Sequence, residues 1–309
     1  MSTPLSITVL VCAHNPHEGR FARVLGALGE QTLGAARWSL LVVDNASSPP
    51  LAERPLAWPA NTRVIVEREL GLTAARLAGI AEARGEVVVL IDDDTVPAPD
   101  YLEVALGLME SHAEIGAAGG RIRGEFAAEP PPWSRNFLNL LAIRDFGDLP
   151  IRALARNCPG PWEPCGAGMV VRGEVARHYA DMVRADPMRR LDRVGTQLSS
   201  CGDTDLARTA TDQGLYLAYE PRLHLTHIIP PARLGFRYIA RLAYCIERDA
   251  WLLLRMRGLR CEVRGAGLWL RRLAAPLRAL RADPREWALR AAAAWGQLAG
   301  RSLKLEPRR

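Results

Sequence analysis

The chain has 309 residues, room for one large or two modest domains. With 49% hydrophobic and 24% charged residues, it can bury a sizeable core, which excludes wholesale disorder. The net charge of +6 is uneven: residues 255–309 hold 13 Arg and 1 Lys against 4 acids, or +10, so the other 254 residues sum to 6 − 10 = −4. Such a basic tail suits an acidic partner, either nucleic acid or an anionic membrane surface.

No apolar run reaches the roughly 18 residues of a membrane span. The opening stretch MSTPLSITVLVCA lacks a basic segment ahead of its apolar run. It reads as a first strand and not as a signal peptide, and the chain is expected in the cytoplasm. The six cysteines, Cys12, Cys158, Cys165, Cys201, Cys245 and Cys261, form no CxxC pair. Free thiols are the simplest expectation.

Residues 6–13, 39–44, 63–67 and 86–92 are short β-branched runs, nearly continuous in apolar character. Strands buried on both faces read this way. Helix-length segments at about 18–33 and 72–84 lie between them, which predicts an α/β fold with a mostly parallel sheet. A further helix is expected over 98–112, with strands at 115–122 and 166–172. Residues 124–165 are rich in Pro, Gly and Trp and read as a long shaped loop. Helices are predicted from Asp203 to Gly214 and over 235–257. Asp283-Pro284 then starts a last helix, on which Trp287, Ala291, Trp295 and Leu298 share one face.

Three polar strand ends carry the chemistry. Asp92, Asp93 and Asp94 directly follow an apolar run, and burying them unpaired would be costly. They belong at the carboxyl edge of the sheet, where open α/β folds bind ligands. If the segment stays extended, Asp92 and Asp94 point the same way and offer hard oxygens to Mg²⁺ or Mn²⁺; the alternative is a solvated acidic turn. Asp44-Asn45 ends the second strand in the same way. Arg76 follows the third, on a helix whose first amides could meet an anion.

The ordered segments ITVLVCAHNP, LLVVDNASS, RELGLTAARLAGI, VVVLIDDDTVP, PCGAGMVVRGEV, CGDTDLARTATDQG and YEPRLHLTHIIPPAR together resemble the family-2 glycosyltransferases. The resemblance covers about residues 6–245. It implies a GT-A fold: a Rossmann-like mixed sheet flanked by helices, here with a C-terminal helical basic tail. The domain would span 1–245, with a nucleotide-sugar half over about 1–122 and an acceptor half over about 123–245, followed by an extension over 246–309. It implies an inverting, metal-dependent transfer from a UDP-, dTDP- or GDP-sugar to a glycan or lipid-linked acceptor. The chain lacks the QxxRW motif of processive synthases, so single additions are expected.

Residue by residue, the resemblance implies that Ala13, His14 and Asn15 border the nucleotide. It makes Asp44, beside Asn45, an acceptor for the base, and puts Arg76 near base or phosphates. Asp92 would meet the ribose or the metal's waters, with Asp93 facing away. Asp94 would bind Mn²⁺ or Mg²⁺. His227 would be a further metal ligand or a diphosphate contact; Arg233 and Arg237 could neutralise the diphosphate. Asp203 would be the general base at a helix start, with Asp205 as fallback. Gly166, Ala167, Gly168 and Met169 would form the acceptor side, with Trp133 and Trp162 as candidates for stacking on a sugar or for anchoring loops. The family commonly has Glu-Asp where this chain has Gly202-Asp203, so one carboxylate of that pair is missing.

In the tail, Leu270, Leu273, Leu277 and Leu280 recur at helical spacing with Arg271, Arg272 and Arg278 largely opposite, interrupted by Pro276. This suits peripheral contact with an anionic inner leaflet through 258–309. Two rival readings are a sugar-nucleotidyltransferase, whose Gly-rich phosphate loop is missing from CAHNPHEGR, and a degenerate nucleotide- or carbohydrate-binding domain, suggested by Gly202. A nucleic-acid partner is not expected, since no recognition motif accompanies the basic tail.

Overall fold

The computed structural model describes residues 5–154, 160–258 and 283–303. The strands are β1 (Ile7–Ala13), β2 (Trp38–Asn45), β3 (Thr62–Glu67), β4 (Val87–Ile91), β5 (Thr95–Pro97), β6 (Ile115–Phe126), β7 (Ile151–Ala153), β8 (Val170–Arg172) and β9 (Tyr216–Ile229). The helices are α1 (Glu18–Gly29), α2 (Leu72–Glu82), α3 (Tyr101–Ser111), α4 (Gly173–Ala185), α5 (Gly202–Asp212), α6 (Phe236–Met256) and α7 (Pro284–Ser302).

The strands form one mixed sheet in the order β3-β2-β1-β4-β8-β6-β9-β5, with β7 paired to β9 off that path. β3, β2, β1 and β4 run parallel, with Val9 opposite both Leu40 and Val89. β8 is antiparallel to β4 and β6. Helices cover both faces. Phe21, Val24 and Leu25 of α1 and Leu102 and Leu106 of α3 pack on one face; Ile80 of α2, Tyr179 of α4 and Leu206 of α5 pack on the other. This double cover explains the unbroken apolar runs of β1 and β4. It also aligns the carboxyl ends of the parallel strands along one edge.

Three elements differ from the sequence expectation. The stretch 124–165 is not one loop: β6 runs on to Phe126, a 3-10 helix spans Pro132–Leu141, and β7 follows. α4 was not anticipated, although Val175, Ala176, Tyr179, Ala180 and Val183 are buried at helical spacing. The boundary expected at 245/246 falls inside the continuous α6.

The C-terminal helix begins where Asp283-Pro284 predicts, with Asp283 Oδ1 accepting the Arg285 N–H at 2.8 Å. Its buried residues are Leu289, Gly296 and Gly300. A Cβ on Gly296 or Gly300 would run into the carbonyl oxygens of Tyr244 and Arg248 on α6, so the missing side chains let the two helices approach closely. The tryptophan face turns outward instead, with Trp287 58% and Trp295 66% exposed. The leucine-arginine pattern around Leu270–Leu280 lies outside the described residues, as do Cys158 and Cys261.

Candidate active site

A cleft of about 580 Å³ opens at the carboxyl edge of the parallel strands. Ala13, His14, Asn15, Asn45, Arg76, Asp92, Asp93, Asp94, Gly166, Ala167, Asp203 and His227 all line it. Among the described residues, four non-glycine residues have left-handed backbone, and three of them, Asn15, Ala142 and Cys201, are on its wall. Strained backbone of this kind concentrates at functional sites.

At the β1–β2 end the polar groups are largely committed to shaping the wall. His14 Nδ1 lies 2.7 Å from the Asn45 carbonyl, and Asn15 Oδ1 accepts the Ser48 N–H at 2.9 Å. The Asn45 amide donates to the carbonyls of Glu67 and Glu69 at 3.1 and 2.7 Å and accepts the Gly71 N–H at 2.8 Å. It ties the ends of β2 and β3 to the start of α2. Asp44 is buried beneath this wall, where its two oxygens accept the Ser47 and Leu51 amides at 2.9 and 2.8 Å. Asp44 therefore organises the turn after β2 and does not line the cleft.

The three-aspartate turn is not a solvated acidic loop. It leads into β5, which pairs with β9 so that Thr95 faces His227. That pairing brings Asp94 Oδ1 to 3.4 Å from His227 Nε2. Arg233, on the turn after β9, donates from Nη1 to Asp94 Oδ2 at 3.0 Å and lies 3.1 Å from His227 Nε2. His227 Nδ1 is 2.9 Å from the Leu141 carbonyl. A carbonyl only accepts, so Nδ1 carries a proton and the ring turns its Nε2 toward Asp94. Burial alone would raise the Asp94 carboxyl. The hydrogen bond and charge of His227, with Arg233 and Arg193, outweigh it and hold the group at about 2. Asp93 is pushed up to about 7 by desolvation and by the charges of Asp94 and Asp92. Asp92 is raised as well, again mainly by desolvation.

Asp94 and His227 fit a divalent cation. One carboxylate oxygen and one imidazole nitrogen converge, and the imidazole's other nitrogen is anchored on a carbonyl, as metal-bound histidines commonly are. Among the described residues no three His, Cys, Asp or Glu side chains gather into a metal site. Waters and a phosphate ligand would have to complete the shell.

Also on the cleft wall, α5 begins at the base candidate. Asp203 Oδ2 accepts the Gly166 N–H at 2.7 Å, and Oδ1 accepts the Thr204 N–H at 2.8 Å. Arg76 is no surface charge. Its side chain is 5% exposed and its Nη1 donates to both oxygens of Asp192 at 3.0 Å. Burial works against the charged guanidinium, but Asp192, Asp203 and Asp92 outweigh it and raise its pKa. Asp192 stands in no recognised motif and was not singled out from the sequence.

Other expected acceptor residues are not brought to the cleft. Asp205 is fully buried, bound by Arg189 at 2.9 Å and Arg257 at 2.7 Å. Met169 lies in the core beneath the sheet. Gly168 has φ +82°, and a Cβ there would meet Leu225 and the Tyr101 hydroxyl, so its lack of a side chain serves packing. Trp162 packs against the core from its own loop, away from the cleft wall. Trp133 is 6% exposed and stacks edge-on with Phe236 at 5.7 Å. Arg237, expected near the diphosphate, is exposed and off the cleft wall.

Three kinds of similarity bear on this arrangement. EpsH of Bacillus subtilis, named as a glycosyltransferase, is 34% identical over 109 residues, covering 34% of this chain and 30% of that protein. The amylovoran biosynthesis glycosyltransferase AmsE of Erwinia amylovora is 29% identical over 119 residues, 37% of this chain and 44% of its own length. Glycosyltransferase AglE of Haloferax volcanii is 27% identical over 125 residues, 39% of this chain and 40% of its own. The matches thus span less than half of these curated relatives. The solved mannosyltransferase PcManGT of Pyrobaculum calidifontis, described in complex with GDP-Man and Mn²⁺, aligns with TM-score 0.55 at 17% identity over 97% of this chain and 74% of that one. At that identity the likeness speaks for the fold, which is GT-A. The profile of glycosyl transferase family 2 matches residues 8–170, more than half of the sequence, and the chain belongs to that family.

Proposed function

We propose that this chain is an inverting glycosyltransferase. It would move one sugar from a nucleoside diphosphate sugar (UDP, dTDP or GDP) to a glycan or lipid-linked acceptor in cell-surface polysaccharide synthesis. The observation that carries the reading is that one cleft is lined by two acidic groups: the Asp92–Asp94 turn with His227, and Asp203 at the start of α5. The names of the relatives point the same way.

In this reading Ala13, His14, Asn15 and Asn45 shape the nucleoside end, over the turn that Asp44 holds. Asp94 and His227 hold Mn²⁺ or Mg²⁺ near the diphosphate, with Asp92 and Asp93 beside it. When bound, the cation supplies Lewis-acid stabilisation of the charge that builds on the departing diphosphate. Arg233 can turn from Asp94 to a phosphate oxygen once that carboxylate has another partner. Asp203 holds its oxygens on two backbone amides, and each oxygen keeps a further lone pair for the acceptor hydroxyl. The hydroxyl oxygen attacks the anomeric carbon from the face opposite the phosphate. The bond from the anomeric carbon to the phosphate oxygen breaks, and the hydroxyl proton passes to Asp203. The test is transfer from a panel of nucleotide-sugars by the wild type and Asp203→Asn, with product anomeric configuration read by NMR. Inverted product from the wild type alone supports the reading; retained configuration, or equal transfer by both, contradicts it.

We also propose that the C-terminal segment rests peripherally on an anionic inner leaflet. In support, no described helix is long and apolar enough to cross a membrane. Trp287, Trp295 and Leu298 point outward from α7, within a stretch of strongly positive sequence. Flotation with anionic vesicles should drop for Trp287→Ser/Trp295→Ser; unchanged flotation rejects α7 as the contact.

A further inference from the structure

The geometry points to Asp192 as a positioning residue for the proposed base. It enters the space of the side chain that Gly202 lacks and fixes Arg76 against Asp203. This inference rests on the reading of Asp203 as base.

A Cβ built on Gly202 would lie within 2.5 Å of all three atoms of the Asp192 carboxylate. The place beside the proposed base where a second helix-borne carboxylate would start is thus already filled by one. It comes from a loop ten residues earlier in the chain. Asp192 is held there from several sides. Thr73 Oγ1 donates to its Oδ2 at 3.0 Å, and Arg76 Nη1 reaches both oxygens at 3.0 Å. The Leu72 N–H donates to the Arg193 carbonyl at 2.9 Å, so the loop docks on the first turn of α2. Both charged side chains are 5% exposed, so neither can trade its partner for water cheaply.

The other end of Arg76 faces the base. A Cβ on Gly166 would lie 2.5 Å from Arg76 Nη2 and 3.4 Å from Asp203 Oδ2. Gly166 thus marks one spot where guanidinium and carboxylate approach the same backbone. Asp192 grips one edge of Arg76, and the free edge presents positive charge toward Asp203. A cation so placed steers the carboxylate that must receive the acceptor's proton. Gly202 is part of the device: any side chain there displaces Asp192.

The test compares wild type, Asp192→Asn, Asp192→Gly, Gly202→Ala and the exchange Asp192→Gly/Gly202→Asp. The readouts are kcat and KM for transfer, nucleotide affinity by calorimetry, and melting temperature. Asp192→Asn and Gly202→Ala should each lower kcat by about 10²-fold, as a misplaced group does, with nucleotide affinity unchanged. The exchange returns a carboxylate from the helix and should recover about tenfold over Asp192→Gly. An active wild type with an equally active Asp192→Asn overturns the inference alone. So does a variant that only melts earlier while its folded fraction keeps full kcat. A wild type that transfers no sugar overturns the underlying reading and this inference together.

Discussion

Arg233 and Arg76 both line the same cleft, and each pairs with an aspartate. The Arg233 side chain keeps 24% exposure on a short turn after β9 and shares Asp94 with His227. The Arg76 side chain keeps 5% on the second turn of α2 and closes on both oxygens of Asp192. The Arg233–Asp94 pair is the more exposed, so its cation can exchange its carboxylate for water. The Arg76–Asp192 pair is buried on both sides, so parting it would leave two uncompensated charges in the interior. On the proposed reading, the more exposed pair exchanges partners when a donor binds, and the buried pair holds still beside the proton acceptor.

Substitutions can break this contrast at either end. The largest effect is expected at the base: Asp203→Asn should lower transfer by about 10²- to 10⁴-fold, read in steady-state kinetics. Asp94→Ala should cost at least about 10²-fold, the several kcal/mol of charge stabilisation that a metal supplies, and should flatten the dependence of rate on Mn²⁺ concentration. For stability the order is set by burial. Arg76→Gln strands Asp192 in the interior and should lower unfolding free energy by about 3–5 kcal/mol. Arg233→Gln should change it by less than about 1 kcal/mol; chemical denaturation compares the two. The smallest effect lies far from the cleft. Gly296→Ala would force α7 away from the Tyr244 carbonyl and should cost about 1–3 kcal/mol, seen as an earlier thermal transition.

β1, β2 and β4 were legible because they are buried on both faces and read directly from unbroken apolar runs, whereas β3, at the sheet edge, is only partly buried. The three-aspartate turn was legible because carboxylates after such a run must meet an opening. β5 and β7 are three residues each and exist by pairing with distant partners, which no local pattern encodes; β8, expected over 166–172, is shortened to Val170–Arg172. α4 left a usable signal in its spaced Val175, Tyr179 and Val183 that went unread. The outward turn of Trp287 and Trp295 was not legible, because the helix packs through its glycines and not through its apolar stripe. Asp192 was the hardest. It lies in a loop with no motif, and its role follows only from contacts with Arg76, 116 residues earlier in the chain, and with the empty space at Gly202. The sole hint was that glycine itself, read first as a loss.

The most direct test of the proposed cleft is calorimetric titration of UDP, dTDP and GDP, with and without Mn²⁺. It would be run on wild type, Asp94→Ala and Asp203→Asn. The account predicts metal-dependent binding of one nucleotide, lost in Asp94→Ala and kept in Asp203→Asn. Folded wild type that binds none of the three, or binding that survives Asp94→Ala and fails in Asp203→Asn, would contradict it.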